Sequence, residues 1–373
     1  MKKALSLHAK FPGKIGTQIL TPVKNRTGLS LVYTPGVAEV SQAIAKNRKL
    51  VNKYTLKGRT VAIVSDGSAV LGLGNVGPAA ALPVMEGKAL LFKAFANLDA
   101  YPICLDTQEP AEIIQIVKAL TPSFGAVNLE DIAAPKCFAI EEALQDIGIP
   151  VMHDDQHGTA VVVLAALINS AKVVGKKMGN LKVVVNGAGA AGNAIANLVR
   201  NQVSEVIVLD STGIIYQGRP GLDPYKEKLA QVTNREFRTG DLKIALQGAD
   251  VFIGVSRGNL LKRADVKLMN ERAIVLAMAN PNPEILPEEA LKGGAAVVAT
   301  GRSDFPNQVN NALAFPGIFK GVLQSGKVKI TTEMKMAAAH AIAKLVEKPT
   351  PGSIIPSIFD KKVVPAVAKA VAR

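Results

Sequence analysis

Two pairs of adjacent carboxylates, Glu130-Asp131 and Asp154-Asp155, stand out in this chain as groups able to do chemistry. Each pair closes a short apolar run: Ala126-Val127-Asn128-Leu129 before the first, and Ile149-Pro150-Val151-Met152-His153 before the second. Adjacent carboxylates repel one another unless a cation or a proton lies between them, and an all-oxygen donor set suits Mg2+ or Mn2+. The plainer reading is that Asp154 or Asp155 only caps the helix that begins there. Two acids, His153 and His157 beside them, and a second acidic pair upstream favour a divalent-cation site. His153 precedes the acids on an extended run, which aims it at the face opposite Asp154.

The elements around the acids decide whether they meet. A long apolar run, Ala160 to Ile168, predicts a buried helix after Gly158-Thr159. Pro135 opens another helix, reaching about Ile147, so the acidic pairs close successive parallel-type strands with one helix between them. In a right-handed crossover those strand ends share one edge of the sheet. Upstream, Thr60 to Asp66 is a β-branched run ending in Asp66-Gly67-Ser68. It is followed by a glycine turn, Leu71-Gly72-Leu73-Gly74-Asn75-Val76-Gly77, which permits close backbone approach to a small ligand. The segment Ala79 to Phe95 has helical spacing and carries Lys88 directly after Gly87. Asp106 suits the cap of a helix over 110–120. Residues 1–30 read as a loosely structured arm, and Leu31-Val32-Tyr33 as a strand-like start broken by Pro35-Gly36.

A second unit begins at Leu181. Lys182 to Asn186 is a strand, Gly187-Ala188-Gly189-Ala190-Ala191-Gly192 a glycine turn, and Asn193 to Arg200 a helix. Glu205 to Leu209 is the next strand, closed by Asp210. Strand, GxGxxG, helix, strand and acid together form the dinucleotide fingerprint. The glycines let a pyrophosphate reach the helix N-terminus, where free N–H groups and the dipole favour anions. Asp210 suits the ribose hydroxyls of NAD, whereas the nearby Arg219 suits the 2′-phosphate of NADP. Further β runs at 250–254, 273–277 and 295–299 complete a doubly wound sheet. Asn280 and Asn311 lie in turns beyond it.

With 373 residues the chain suits two domains, and its 48% hydrophobic content is that of a globular protein. The net charge of +14 is scattered, aromatics are 4% and Trp is absent, which argues against nucleic-acid binding. The longest unbroken apolar run is too short for a membrane span, and the N-terminus lacks the apolar stretch of a secretory signal. Cys104 and Cys137 have no metal-ligand spacing and fit a reducing cytosol.

Taken in order, these pieces resemble the malic enzyme family in its compact bacterial form. The matching stretches are Tyr33-Thr34-Pro35-Gly36-Val37-Ala38, Ser65-Asp66-Gly67 with Leu71-Gly72-Leu73-Gly74, Glu86-Gly87-Lys88-Ala89 and Asn128-Leu129-Glu130-Asp131. They continue through His153-Asp154-Asp155-Gln156-His157-Gly158-Thr159, the 187–192 turn, and Asn311 with Phe315-Pro316-Gly317. The resemblance implies an N-terminal α/β substrate and metal domain over 1–150, a Rossmann-type NAD(P) domain over 151–350 and a tail helix over 351–373. It implies oxidative decarboxylation of (S)-malate to pyruvate by a cytoplasmic homodimer, with Mg2+ or Mn2+ and NAD or NADP. Glu130, Asp131 and Asp155 match the metal ligands, and Asp154 the neighbouring acid at the reaction centre. Lys88 matches the general base, its pKa lowered by burial and the cation, and Tyr33 the proton donor. Asn280 and Asn311 match the malate-binding asparagines. Larger members carry a substrate-binding arginine just before LGLG; here Ala69-Val70 stands there, and Ser68 or a lysine is the expected substitute. The rival activities are oxaloacetate decarboxylation as the main reaction, and a metal-independent amino-acid or hydroxy-acid dehydrogenase.

Overall fold

The computed structural model describes residues 2–373 apart from 12, 22 and 71, with only the backbone of Lys2. Met1 and the first residue of the Leu71-Gly72-Leu73-Gly74 motif thus lie outside the described residues. The fold is α/β, built on two sheets. The first has the order β2-β1-β3-β4, all parallel, with β1 Thr60–Ser65, β2 Asp99–Cys104, β3 Ala126–Leu129 and β4 Val151–His153. The second has the order β10-β9-β8-β5-β6-β7. Its strands are β5 Lys182–Asn186, β6 Glu205–Asp210, β7 Gly213–Ile214, β8 Val251–Gly254, β9 Ala273–Ala277 and β10 Ala295–Thr300. Only the short β7 runs antiparallel to its neighbour. The chain leaves β5 for β6 on one side and returns to β8 on the other, opening the crevice in which such sheets bind ligands. The first sheet repeats this between β1 and β3.

The helix Asp154–Val174 joins the two sheets. Its residues Ala160 to Leu167 are fully buried, sharing one core with Met152 of β4 and with Val183 and Val185 of β5. It is long and apolar enough to cross a membrane by length and composition, which the sequence reading did not anticipate, but 72% of that apolar window is buried within the fold. Flanking sheets, rather than lipid, account for its composition.

The units interleave more than the expected boundaries allow. β4 follows residue 150 yet pairs with β3. The helix Phe315–Ser325 lays Phe315 and Phe319 edge-on to Phe92, with centroids 4.7 and 5.4 Å apart. The closing helix Val363–Ala372 packs tightly on it, since a Cβ on Gly317 would lie 2.6 Å from the Val367 Cβ. Helix pairs approach this closely only where one of them carries small residues.

Some local expectations fail. Lys2–Lys10 is a helix within the supposed arm, and Leu31-Val32 ends a helix, Arg26–Val32, rather than starting a strand. Asn25 caps that helix, its Oδ1 accepting from the Gly28 N–H at 2.8 Å, and this local bond outweighs strand propensity. Asp106 caps nothing: the helix Pro110–Leu120 starts after Glu109, whose N–H goes to Thr107 Oγ1 at 3.2 Å.

Candidate active site

Both acidic pairs reach the same strand-end edge. Glu130 and Asp131 follow β3, and Asp154 and Asp155 follow β4 as the first residues of the long helix. One oxygen each from Glu130, Asp131 and Asp155 lies within 4.8 Å of the others, so a single ion can be shared. Asp131 sits at φ +54°, a left-handed conformation that Asp and Asn tolerate. From there its N–H donates to Asp155 Oδ2 at 2.8 Å. That contact turns Asp155 toward the neighbouring strand end, and the helix's N-cap residue, His153, makes no side-chain cap bond, so capping is not the main role of the acids.

The electrostatics carry the cost of this convergence. Burial, then the charges of Asp155 and Glu130, pushes the Asp131 carboxyl up to about 9. Burial and neighbouring acids also raise Glu130 and Asp155, and Asp154 rises to about 7 despite Lys88. Asp131 Oδ2 is buried without a hydrogen-bond partner. An orphaned carboxylate oxygen facing two other acids fits a hard cation such as Mg2+ or Mn2+.

Lys88, on the helix Gly77–Leu91, is buried among these groups. Its Nζ donates to Glu130 Oε1 at 2.7 Å and to Asp154 Oδ2, and lies 4.2 Å from the centre of the Phe315 ring. Burial would lower its pKa as expected, but Asp154, Glu130 and Asp155 together reverse the direction and raise it. Without a cation to share their charge, the chain's own carboxylates favour the ammonium form of Lys88.

Supporting residues emerge that motif reading did not assign. Asn128 Nδ2 donates to Glu130 Oε2 at 2.8 Å. Gly158 clears room for Asp154, since a Cβ there would lie 1.7 Å from its Oδ1. Glu141 accepts from the His153 N–H at 2.9 Å, Gln156 Nε2 at 3.0 Å and His157 Nε2 at 2.9 Å, bracing the β4–helix junction from behind. His157 is thus turned away from the acids. His153 is fully buried, yet its Nε2 lies 3.7 Å from Asp155 Oδ2. The acid-to-backbone braces have no sequence signature; Gly158 and Asn128 were visible only as members of motifs.

Asp155 opens onto a cavity of about 410 Å³ between the two sheets, which Asn280 and Asn311 also line. Asn311 Nδ2 donates to Asp154 Oδ2 at 2.6 Å. Gly72, at φ +74°, packs against the Asn280 carbonyl, 3.1 Å from its would-be Cβ, so the glycine turn closes on the opposite unit. Ser68 is buried with its Oγ accepting from the Ala133 N–H at 2.9 Å. Tyr33 is 66% exposed and is not part of the cavity wall.

The cavity continues past Gly189, Val255 and Ser256 into a second one of about 780 Å³, which reaches Asp210. Gly187 at φ +122° and Gly192 make the tight turn, a Cβ on Gly192 lying 1.7 Å from the Gly187 carbonyl oxygen. A Cβ on Gly189 would meet nothing within 4 Å, and the helix Ala190–Val199 starts there without a side-chain cap. Unspent N–H groups at Ala190 and Ala191 facing open space fit a pyrophosphate. Ala188 is buried beneath the turn.

The fold and this site define an NAD(P)-binding α/β protein with an acidic cation cluster. Comparison gives the family. Residues 12–111 match the family model "Malic enzyme, N-terminal domain", and residues 156–373 match "Malic enzyme, NAD binding domain". The chain is 54% identical to the bifunctional malic/malolactic enzyme of Bacillus subtilis, over all of this chain and 92% of that one. It is 54% identical to the NAD-dependent malic enzyme of Geobacillus stearothermophilus, over 96% of this chain and 76% of that one. The crystal structure of NAD-dependent malic enzyme from Thermotoga maritima superposes with a TM-score of 0.96 at 53% identity, covering 99% of this chain and 98% of that one. The chain belongs to the malic enzyme family.

Proposed function

We propose that the protein converts (S)-malate to pyruvate and CO2 while reducing NAD(P)+, with Mg2+ or Mn2+ as cofactor. The observation that carries this is Lys88, buried between Glu130 and Asp154, beside a three-carboxylate cluster on a cavity that runs on to the dinucleotide turn. Glu130, Asp131 and Asp155 would hold the cation; Gly187, Ala188, Gly189, Ala190, Ala191 and Gly192 would hold the pyrophosphate. When bound, the cation supplies Lewis-acid polarisation of the C2 oxygen, and the nicotinamide accepts hydride.

Asn280 and Asn311 orient the malate carboxylates across the cavity. Lys88 takes the C2 hydroxyl proton as the C2 hydride departs, giving oxaloacetate. Carboxylates that share their charge with a cation pull less on the ammonium, which frees Lys88 to act as a base. Asp154, hydrogen-bonded to Lys88 and Asn311, holds the lysine in place and can relay its proton. Cleavage of the C3–C4 bond releases CO2 and leaves enolpyruvate, which Tyr33 protonates at C3. Ser68 takes the place of the missing arginine as a donor near the LGLG turn. Because Tyr33 stands outside its own chain's cavity wall, we assign it to the site of a second copy in a cytoplasmic homodimer.

Lys88→Ala should abolish malate-dependent reduction of NAD(P)+ while NADH affinity, read by fluorescence, stays within about twofold. A parallel loss of NADH affinity would count against the lysine as base. Mixing Lys88→Ala with Tyr33→Phe chains should restore activity that neither has alone; no recovery would refute a shared site. Activity that survives EDTA would favour the metal-independent dehydrogenase.

A further inference from the structure

The imidazole of His153 has no part in the reaction described above, yet it lies beside the cation cluster. His153 closes β4 directly before Asp154 and Asp155, and its side chain is fully buried. The backbone there is held, its N–H donating to Glu141 Oε1 at 2.9 Å. The ring itself is not held. Neither Nδ1 nor Nε2 has a hydrogen-bond partner among the described residues, although both atoms are buried. Such a ring costs stability, because its donor and its acceptor have given up water for nothing.

The surroundings of the ring show what it serves. Among the described residues, Asp155 offers the only carboxylate within ion-pairing reach of either ring nitrogen, its Oδ2 3.7 Å from Nε2. That separation is a little beyond hydrogen-bond length, which is roughly 3 Å for such a pair. The same Oδ2 already accepts the Asp131 N–H at 2.8 Å. A second donor on it would fix the carboxylate where it converges with Glu130 and Asp131, whose ligand oxygens all lie within 4.8 Å of one another. His157 is no rival for this place, because its Nε2 is spent on Glu141 Oε2 at 2.9 Å. Hydrogen bonds from outside the ligand set orient ligating carboxylates, and losing one weakens metal binding by about 10- to 100-fold.

We propose that His153 is a positioning residue for the cation: its Nε2–H donates to Asp155 Oδ2 when the cluster holds its ion, and keeps that carboxylate in the orientation the ion requires. This rests on the cation site assigned above. The test is Mn2+ binding to the purified full chain, read by electron paramagnetic resonance of free Mn2+ without malate or dinucleotide. His153→Leu has a comparable volume and removes both orphaned nitrogens. It should melt no lower than wild type in EDTA, yet bind Mn2+ about tenfold more weakly or worse. His153→Gln, whose amide nitrogen reaches the place of Nε2, should bind Mn2+ within about threefold of wild type. Mn2+ affinity in His153→Leu within about twofold of wild type would overturn the proposal. So would equal weakening in both variants, which would make ring shape rather than the donated hydrogen the cause. Wild type supplies a reading free of any folding defect. Of its four histidines, His153 should give an Nε2–H resonance in 15N-labelled protein that Mg2+ shifts, assigned by its loss in His153→Gln. No imidazole resonance responding to Mg2+ would also overturn it. Wild type that binds no Mn2+ at all would overturn the cation site itself.

Discussion

Asp131→Asn should stabilise this protein in EDTA and weaken its hold on Mn2+ in the same stroke. The position is unusually clean for such a test. Asn is isosteric, tolerates the φ of +54°, and keeps the N–H that donates to Asp155 Oδ2. The magnitude follows from the raised carboxyl, about 9 against an ordinary 3.8. Between those values the folded chain binds a proton that the unfolded chain has lost, so stability falls as pH rises through that window. At pH 7 the gap from 3.8 is about three pH units, which sets a ceiling of roughly 4 kcal/mol on what the substitution relieves. With an unfolding entropy of about 2 cal/mol/K per residue, a chain of this length gains at most about 5 °C in melting midpoint. The gain should vanish near pH 4. Wild type should in turn gain about 2.7 kcal/mol from Mn2+ at a hundred times its dissociation constant, and the variant much less. Thermal melts in EDTA and in Mn2+, at pH 5 and 7.5, read both effects. A variant that melts lower than wild type in EDTA, or one that Mn2+ stabilises as fully, would show that the carboxylates do not converge on one ion.

Two other substitutions probe the frame. Glu141→Ala removes a carboxyl held at about 2 by the His157 ring against the effect of burial, so its stabilisation is full above about pH 4.5 and fades toward pH 2. Burial lowers the His157 pKa and leaves the ring mostly neutral at pH 7, so a loss of at most roughly 3 kcal/mol at pH 7, shrinking at pH 3, should appear in urea midpoints; a loss independent of pH would mean that packing, not charge, is what Glu141 supplies. Gly189→Ala should fold normally, because its Cβ meets no protein atom within 4 Å, yet bind NADH at least tenfold more weakly by filling the space for the pyrophosphate. Wild-type NADH affinity in that variant would place the pyrophosphate elsewhere.

What the sequence made legible was whatever depends on strand ends. Parallel strands separated by single helices must present their C-terminal residues on one edge, so the convergence of Glu130, Asp131, Asp154 and Asp155 could be read without coordinates. The dinucleotide turn was legible for the same reason. Lys88 and Glu141 were not, in the respects that matter. The charge state of Lys88 depends on which acids surround it in space, and two of its three carboxylate neighbours come from another strand. Glu141 lies on the helix Lys136–Ala143 amid ordinary surface-helix composition, and only the turn of the chain back through β4 brings His153, Gln156 and His157 onto it. The N-terminal misreading had a different origin: Leu31-Val32-Tyr33 has strand propensity, but one cap bond at Asn25 begins a helix before it.

The clustering of like charges also explains the apolar helix behind it. Four clustered carboxylates, raised by burial and by one another's charge, exert an opening force on the β3 and β4 termini. A helix whose first turn carries two of those acids resists that force only if its remainder cannot shift. Residues Ala160 to Leu167, buried without exception between two sheets, supply the anchorage, and Gly158 lets Asp154 fold back against the same helix. Burial of each such side chain contributes about 1.5–3 kcal/mol for valine or leucine, so the run outweighs the roughly 4 kcal/mol ceiling at Asp131 several times over. Preorganisation of the cation site is thus set by the core of the joining helix, and small-to-large changes at Gly158 should disturb Asp154 before they disturb the sheets.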